Sequence, residues 1–377
     1  MELVLDFDQF NNWINITMQE KNLLDDFVES HQNTKKTVFL YGAGHACEFY
    51  VRYMKKQNIR IQGIIDSDQE KQGRVLFDLP ILSLEEALEK DEDCDIVIAV
   101  PSIYKTIRTL LSKYVKDEHI FYFDVEQYAY YNNSSSRVKD YISSNVDRLW
   151  DVYNMWEDDK SKRVMLGVLK ARLTENLEYI NDIWEKDQYW PNDIVSFGEK
   201  EILVECGSCD GKTLKEMLEK IGHKYEAIYC FEPDRNCGDL LNKVIEEEEN
   251  KTGKIIYIPK GTFSRDAELR FKVDTVSSGL ASMDESGDII VPVTTIDNAV
   301  EEKVTYIKMD IEGSEYETLI GAEHTIKQYK PKLAVCVYHK NEDMTEIPEL
   351  LKKYRPDYKF FLRHHNCNVT ETVLYAV

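Results

Sequence analysis

The chain has 377 residues, enough for two or three domains that each bury a core. Its 69 Asp and Glu residues outnumber 47 Lys and Arg residues, which gives a formal net charge of −22. This balance argues against nucleic-acid binding, which needs clustered cations, and favours neutral or cationic ligands. No apolar run approaches the roughly 20 residues of a membrane span, and the acidic N-terminus does not resemble a signal peptide. We therefore predict a cytoplasmic protein without a membrane span.

The first third of the chain has an α/β pattern. Residues 1–36 are mostly polar with spaced apolar positions, which predicts two short amphipathic helices. Four strand-like runs follow, separated by helical patterns, at 38–41, 61–65, 93–102 and 119–124. Strands that alternate with helices are typical of a parallel sheet.

The rest of the chain separates into a helical stretch and a second α/β pattern. The Ser- and Asn-rich stretch at 130–137 is typical of a boundary. Residues 138–198 have helical patterns rich in Trp and Tyr, and strands and helices alternate again from residue 201. The fold class is thus α/β, with two doubly wound Rossmann-like domains joined by a helical connector. The predicted parts are an N-terminal Rossmann-like domain with a helical N-terminus (1–136), the helical connector (137–200) and a second α/β domain (201–377).

The stretch EILVECGSCDGKT (201–213) joins an apolar strand to a glycine turn and a helix. Its GSCDGKT segment is one residue short of a phosphate-binding P-loop. Glu205 and Asp210 would also lie beside the phosphates, at a cost of several kcal/mol (order of magnitude) in a partly buried site. The P-loop interpretation therefore fails. Cys206 and Cys209 have the spacing of a zinc or redox pair, but no second pair follows at zinc-ribbon spacing, so we predict neither.

The two carboxylates suit a ligand of opposite charge. S-adenosylmethionine has no phosphate and carries a sulfonium and an ammonium group. The next strand ends at Glu232, 27 positions after Glu205, where α/β nucleotide folds hold ribose hydroxyls with an acidic side chain. A class I methyltransferase cofactor site has this form; a tight strand–helix turn with solvated acids is the alternative. The predicted cofactor-binding residues are Glu205, Gly207, Asp210, Gly211, Thr213, Glu232 and Gly261.

Three segments of this second domain resemble the FkbM family of methyltransferases: VECGSCDGKT (204–213), FEPD (231–234) and YIKMDIEGSEYETLIGAE (306–323). The resemblance extends over about 201–377 and includes VYHK (338–341) and the RHH…TVLYA ending. It implies S-adenosylmethionine-dependent O-methylation, often of sugars in surface polysaccharides or of natural products. Cys206 and Cys209 depart from the small or aliphatic residues expected there, although they keep the bulk small.

The K-x-D-x-E-G-x-E signature of the resemblance supplies the catalytic candidates Lys308 and Asp310, joined by His339 from a later strand end. Asp310 could accept the acceptor's hydroxyl proton or bind the acceptor sugar. His339 would be the better general base on its ordinary pKa alone. The alternatives are that Asp310 only caps the helix beginning near Ser314 and that the histidines are surface groups. The predicted substrate-binding residues are Glu312, His364 and His365.

A metal ion held by Asp310, Glu312 and His339 is a further alternative. No tight ligand spacing supports it, so we predict a site without metal.

The first α/β domain carries a weaker nucleotide signal. Gly42 and Gly44 begin a G-x-G turn, but position 47 is Cys where a third glycine is expected, and Asp66 follows 22 residues after Gly44. The stretch GIIDSDQEKQG…DIVIAVPS is similar to nucleotide-binding domains attached to sugar-modifying enzymes. This predicts a nucleotide or nucleotide-sugar site at Gly42, Gly44 and Asp66; the alternative is a domain that only supports assembly.

The sequence thus predicts an S-adenosylmethionine-dependent O-methyltransferase that acts on a sugar hydroxyl in polysaccharide or glycoconjugate biosynthesis. Two other functions stay open: a nucleotide-sugar or dinucleotide enzyme that uses the first domain, and a non-catalytic nucleotide-binding protein. The expected partner is a small-molecule or glycan acceptor, with no nucleic acid. The sequence is also compatible with a homo-oligomer.

Overall fold

The computed structural model describes residues 5–32, 34–125, 134–248, 252–273, 281–283 and 289–377. The helices are α1 (Phe7–Gln19), α2 (Leu23–His31), α3 (Cys47–Lys56), α4 (Leu84–Lys90), α5 (Tyr104–Leu111), α6 (Ser135–Ser144), α7 (Val146–Met155), α8 (Asp159–Thr174), α9 (Glu178–Asn181), α10 (Lys212–Lys220), α11 (Arg235–Glu247), α12 (Ile296–Ala299), α13 (Glu315–Ile320), α14 (Glu323–Tyr329) and α15 (Asp343–Tyr354). The strands are β1 (Val38–Tyr41), β2 (Ile61–Ile65), β3 (Val75–Leu76), β4 (Leu79–Leu82), β5 (Asp95–Ile98), β6 (Ile120–Phe121), β7 (Ile202–Cys206), β8 (Ala227–Phe231), β9 (Lys254–Ile258), β10 (Gly261–Thr262), β11 (Ala267–Val273), β12 (Ala281–Met283), β13 (Ile289–Thr294), β14 (Tyr306–Met309), β15 (Lys332–Cys336), β16 (Phe360–His364) and β17 (Thr372–Ala376).

The first sheet has six strands in the order β3-β4-β2-β1-β5-β6. Its strands pair in parallel, except for the antiparallel pair of β3 and β4. The four strand-like runs of the sequence become β1, β2, β5 and β6. The pattern did not indicate β3 and β4, because these strands are short and β4 contains a proline.

The second sheet has seven strands in the order β16-β17-β15-β14-β7-β8-β9. It is parallel except for β17, which runs antiparallel to both β15 and β16. Central strands β7 and β14 are buried along their whole length, as expected for a sheet covered on both faces. Cys206, Phe231 and Met309 end three neighbouring strands at one edge, where open α/β sheets bind ligands. The predicted α/β class is confirmed.

A smaller four-stranded sheet, β10-β13-β11-β12, lies in the chain between β9 and β14. It combines a parallel pair with antiparallel pairs and has its own small core of Phe263, Val291 and Val293.

The two N-terminal helices pack against different sheets. Phe10 and Ile14 of α1 lie in the core that contains the connector helices and one face of the second sheet, whereas Leu24 and Phe27 of α2 lie in the core of the first sheet. After α9, the described chain at 182–201 has no helix. The division of the chain at residues 136 and 200 stays a prediction. Among the described residues, no helix has the length and apolar character needed to cross a membrane.

Candidate active site

The glycine turn after β7 lies against the end of β14. The Gly207 and Ser208 amides donate hydrogen bonds to the Phe231 carbonyl at 3.0 and 3.2 Å, which ties the turn to β8. Gly207 has a φ of 80°, and a Cβ atom there would lie 2.0 Å from the Asp310 carbonyl oxygen. Only glycine can therefore place the turn this close to the end of β14.

Glu232 connects this turn to the end of β8. Its Oε2 accepts a hydrogen bond from the Cys209 amide at 2.9 Å, and its Oε1 accepts one from the Asp234 amide at 2.8 Å. Burial raises the pKa of Glu232, while the two amide hydrogen bonds oppose that shift. Each carboxylate oxygen has a second lone pair, so Glu232 can still accept hydrogen bonds from the hydroxyl groups of a ribose.

Glu205 and Lys308 form a buried pair of opposite charge below the turn. The Glu205 side chain is fully buried, and neither carboxylate oxygen has a hydrogen-bond partner in the described part of the chain. Burial raises the pKa of Glu205, and the charge of Lys308 opposes this. Lys308 Nζ donates to the Gly207 carbonyl at 2.7 Å. A buried carboxylate without a donor fits a ligand that brings its own cationic or donor groups, such as S-adenosylmethionine.

Three of the remaining predicted cofactor residues continue this turn into α10, and Gly261 lies at the start of β10. Asp210 is exposed, and its Oδ1 accepts a hydrogen bond from the Lys212 amide at 3.1 Å at the start of α10. Gly211 has a φ of 83°, and Thr213 lies in the first turn of α10. Gly261 begins β10, three residues after β9 ends.

Asp310 lies beside the turn and has several polar neighbours. Tyr189 donates to its Oδ2 at 2.7 Å, and Tyr338 donates to its Oδ1 at 3.2 Å. Burial would raise the pKa of Asp310, but the positive charges of Lys308 and His339 keep it below its usual value. Asp310 does not cap α13, whose N-cap residue has no side-chain capping bond. It is thus an ionised acceptor of hydrogen bonds at the strand end.

His339 is fully buried among carboxylates. Its Nδ1 lies 2.8 Å from Glu315 Oε1, and its Nε2 lies 3.4 Å from Asp310 Oδ1 and 3.7 Å from Glu312 Oε2. Burial would lower the pKa of His339, but these carboxylates raise it to about 10. The imidazole is therefore protonated near neutral pH and cannot accept a proton. The prediction that His339 is the general base assumed an unperturbed pKa. The raised pKa corrects that prediction.

His364 and His365 have structural partners. The His364 side chain is fully buried, with Nδ1 2.9 Å from Thr372 Oγ1 and Nε2 2.7 Å from the Asn368 carbonyl. His365 Nε2 lies 2.8 Å from Tyr375 Oη. Burial lowers the pKa of His364 to about 3 and that of His365 to about 4. Both rings are therefore neutral and packed into the fold. His364 is not a surface group, and its ring nitrogens already have partners within the fold, so it does not fit the predicted contact with the acceptor.

Three residues that the sequence did not indicate also belong to the site. Tyr189 and Gln188 come from the segment after α9, and Glu371 precedes β17. Gln188 Nε2 donates a hydrogen bond to Glu371 Oε2. Glu371 also lies close to Asp310 and Cys336, since one ligand-type atom from each falls within 4.8 Å of the others. No local motif marks these residues, because they reach Asp310 only through the tertiary fold.

Four non-glycine residues of the site have a left-handed backbone conformation. Tyr189, Cys209, Glu312 and Glu371 all have positive φ values of 69°, 44°, 56° and 65°. Non-glycine residues in this region cost about 1–3 kcal/mol each and tend to cluster at functional sites.

Two groups of possible metal ligands overlap at Asp310. One contains Asp310, Glu315 and His339, and the other contains Asp310, Cys336 and Glu371. The predicted absence of a metal therefore needs an experiment.

The C-x-x-C pair is not a pair in space. Cys206 is buried at the end of β7, whereas Cys209 is exposed and its sulfur lies 3.6 Å from Cys237 Sγ.

The glycine turn of the first domain is held by Asp66. Its Oδ2 accepts a hydrogen bond from the Ala43 amide at 2.8 Å and contacts Lys71 Nζ at 3.1 Å, and its Oδ1 accepts one from the Asp68 amide at 2.9 Å. A Cβ atom on Gly42 would lie 2.2 Å from Val100 Cγ2. Gly44, in contrast, is exposed with open space around it. These bonds fix the turn; a nucleotide site there stays a prediction.

The second sheet and its edge define the class of protein. Its strand order, the antiparallel β17 beside the edge strand, the glycine turn after β7 and the acidic residue after β8 are the arrangement of a class I methyltransferase. The family comparison is narrower: residues 205–360 match the family model described as methyltransferase FkbM domain. S-adenosylmethionine is the cofactor of that family. Residues 34–121 match a second model, described as C2185-like, N-terminal.

One solved structure shares the fold over the whole chain, and others are less similar. The chain superimposes on methyltransferase FkbM from Methylobacillus flagellatus KT with a TM-score of 0.76 and 22% identity, over 98% of both chains. Fibrillarin from Aeropyrum pernix with natively bound S-adenosyl-L-methionine gives a TM-score of 0.32 and 14% identity, over 49% of this chain and 70% of that one. An rRNA methylase from Streptococcus thermophilus gives a TM-score of 0.30 and 13% identity, over 47% and 86%. No curated protein matches the sequence.

Proposed function

We propose that the second domain transfers a methyl group from S-adenosylmethionine to a sugar hydroxyl. The observation that carries the proposal is the position of Asp310, an ionised acid whose backbone touches the glycine turn of the cofactor site. When bound, the cofactor supplies an electrophilic methyl group. Glu232 would hold its ribose hydroxyls, and Glu205 and the turn would lie beside its charged part.

The acceptor side of the site suits a neutral molecule rich in hydroxyl groups. Asp310 and Glu312 are partly exposed carboxylates that can accept hydrogen bonds from sugar hydroxyls, and Tyr338 and Tyr189 fix the orientation of Asp310. The same carboxylates disfavour a negatively charged group at the methylated position, because like charges in a partly buried site repel.

Lys308 and His339 would not take the proton, because both carry a positive charge. Burial would lower the pKa of Lys308, but Glu205 and Asp310 raise it above its usual value. These two cations instead keep Asp310 ionised and hold its position. We infer that the acceptor hydroxyl loses its proton to a carboxylate of this cluster.

The test uses the full-length protein and S-adenosylmethionine with a labelled methyl group. Neutral sugars are offered as free oligosaccharides, nucleotide-linked sugars and lipid-linked sugars, and the labelled product is tested for an O-methyl ether. Label transfer to a hydroxyl supports the proposal, and Asp310→Asn serves as the matched low-activity control. Transfer only to nitrogen or carboxyl groups would overturn it, and so would cofactor binding without transfer to any of these acceptors.

A further inference from the structure

Glu371 combines three features that the proposed mechanism has not used. It lies in the same cluster as Asp310, it is held by the Gln188 amide, and it has a φ of 65° although it is not glycine. Strained residues tend to cluster at functional sites, and two carboxylates held close together are pushed to different protonation states, which enzymes use to divide acid and base roles.

We propose that Glu371 is the group that accepts the hydroxyl proton, and that the first α/β domain holds it in place through the connection between β16 and β17. This inference rests on the proposed O-methyl transfer and adds a catalytic residue to it. Asp310 then binds and orients the hydroxyl, and Glu371 removes its proton.

The proposed methyl transfer balances in atoms, charge and electrons. The acceptor oxygen forms a bond to the methyl carbon while the carbon–sulfur bond breaks, and the sulfonium becomes a neutral thioether. The hydroxyl proton passes to the Glu371 carboxylate, which becomes a carboxylic acid and later releases the proton to water. No oxidant or other reactant is needed.

The charged groups around Glu371 suit this role. Burial and the charge of Asp310 raise the pKa of Glu371 to about 7, with Glu312 acting in the same direction and Gln188 and His339 opposing it. A general base works best with a pKa near the operating pH. Asp310, whose pKa is lowered, is the weaker base of the two.

The first domain reaches this carboxylate through the residues just before it. Val369 is fully buried in the core of the first sheet, and its amide donates to Asp124 Oδ2 at 3.1 Å. The Cys367 thiol lies 3.7 Å from the Pro101 carbonyl. Glu371 follows Val369 by two residues, so packing of the first domain fixes the start of β17. This contact gives the first domain a part in the reaction whether or not it binds a nucleotide.

The first experiment compares the wild type with Glu371→Gln and with Glu89→Gln, an exposed acid of α4 as control. We expect Glu371→Gln to lower turnover by about 10²-fold or more, with S-adenosylmethionine affinity within about twofold by calorimetry because the cofactor residues are untouched. Wild-type turnover should rise with pH through about 7 as Glu371 ionises, and this rise should be absent in Glu371→Gln. Glu89→Gln should behave as the wild type.

An infrared titration provides a readout that needs no acceptor. The band of protonated carboxylic acids that disappears between about pH 6 and pH 8 in the wild type should be weaker in Glu371→Gln, because Glu371 titrates near 7; Asp343, whose pKa is also raised to about 7, accounts for the remaining band, and the double variant with Asp343→Asn should lack both. If wild-type protein methylates a sugar and Glu371→Gln keeps its rate and pH profile, this inference is wrong while the proposed function stands. If the wild type methylates no hydroxyl, the proposed function itself fails.

The contact with the first domain is tested by Val369→Ala. We expect turnover to fall several-fold and the apparent pKa of the rate profile to move towards that of a solvated Glu, because a looser turn admits water around Glu371. The separate variant Val369→Ile should keep both the turnover and the apparent pKa of the wild type. A fall in turnover with an unchanged profile would show a purely structural role and would overturn this part of the proposal.

Discussion

The Tyr189 hydroxyl donates a hydrogen bond to Asp310 Oδ2 at 2.7 Å, although the two residues lie 121 positions apart in the chain. Tyr189 belongs to the irregular segment after α9, and Asp310 follows β14. The segment between the two sheets therefore supplies part of the active-site wall. The site depends on three parts of the chain, since Glu371 reaches it from the C-terminal hairpin.

Glu232→Ala should weaken S-adenosylmethionine binding by roughly 1–3 kcal/mol, because a charge-assisted hydrogen bond to the ribose would be lost. The variant also frees the Cys209 and Asp234 amides, which loosens the turn. Calorimetry with the wild type as reference measures the effect, and ATP should not compete with S-adenosylmethionine in either protein. Unchanged cofactor affinity would show that the ribose lies elsewhere.

Asp310→Asn should cut turnover about 10²-fold or more while cofactor binding is largely kept. Asn can still accept one hydrogen bond from Tyr189, but it loses the negative charge that orients a hydroxyl. Tyr189→Phe removes only the hydrogen bond to Asp310, so it is the milder control and should lower turnover less than Asp310→Asn does. Steady-state kinetics and calorimetry on the same samples separate the two effects, and a wild-type rate in Asp310→Asn would exclude this role.

His339 should make stability depend on pH. Its folded-state pKa is about 10, above the unfolded value of about 6.5, so its contribution is complete below pH 6.5 and is lost as pH rises through 10. His339→Gln should therefore be less stable than the wild type near pH 7, by an amount on the order of a few kcal/mol, and the gap should narrow towards pH 10. Urea unfolding of both proteins across this range tests it. A gap that does not change with pH would mean that His339 is uncharged in the fold.

Removal of metal ions should leave methyl transfer unchanged. The protonated His339 already provides a positive charge between Asp310, Glu312 and Glu315, so these carboxylates do not need a cation for balance. Turnover is compared before and after treatment with EDTA, with Mg²⁺ and Mn²⁺ added back. Activity that is lost and then restored by one ion would contradict this prediction and would point to one of the two ligand groups that share Asp310.

Asp66→Ala should remove any nucleotide response of the first domain while S-adenosylmethionine binding stays intact. The variant frees the Ala43 and Asp68 amides, so the glycine turn loses its shape. The probe is UDP-N-acetylglucosamine, and the readout is the thermal midpoint of the full-length protein, which a bound ligand raises. If the wild type does not respond to this or related nucleotides, the first domain acts as a scaffold.

The sequence by itself determined the two α/β patterns, the glycine turn and the acids at Glu205, Glu232 and Asp310. These features are local: a strand, the turn that follows it and the residue at its end are contiguous, and apolar periodicity marks the strand. The sequence also predicted the charge of the ligand, because carboxylates beside a glycine turn disfavour a polyphosphate.

The tertiary structure decided the protonation states and the distant members of the site. His339 is ordinary in sequence, and only the three carboxylates that surround it in the fold raise its pKa to about 10. His364 shows the opposite outcome, since burial is the largest effect on it and lowers its pKa to about 3. Tyr189 and Glu371 meet Asp310 because β17 runs antiparallel beside β15 and the segment after α9 lies near the same sheet edge. Burial and long-range charge have no local signature in a sequence, whereas strand ends and turns do.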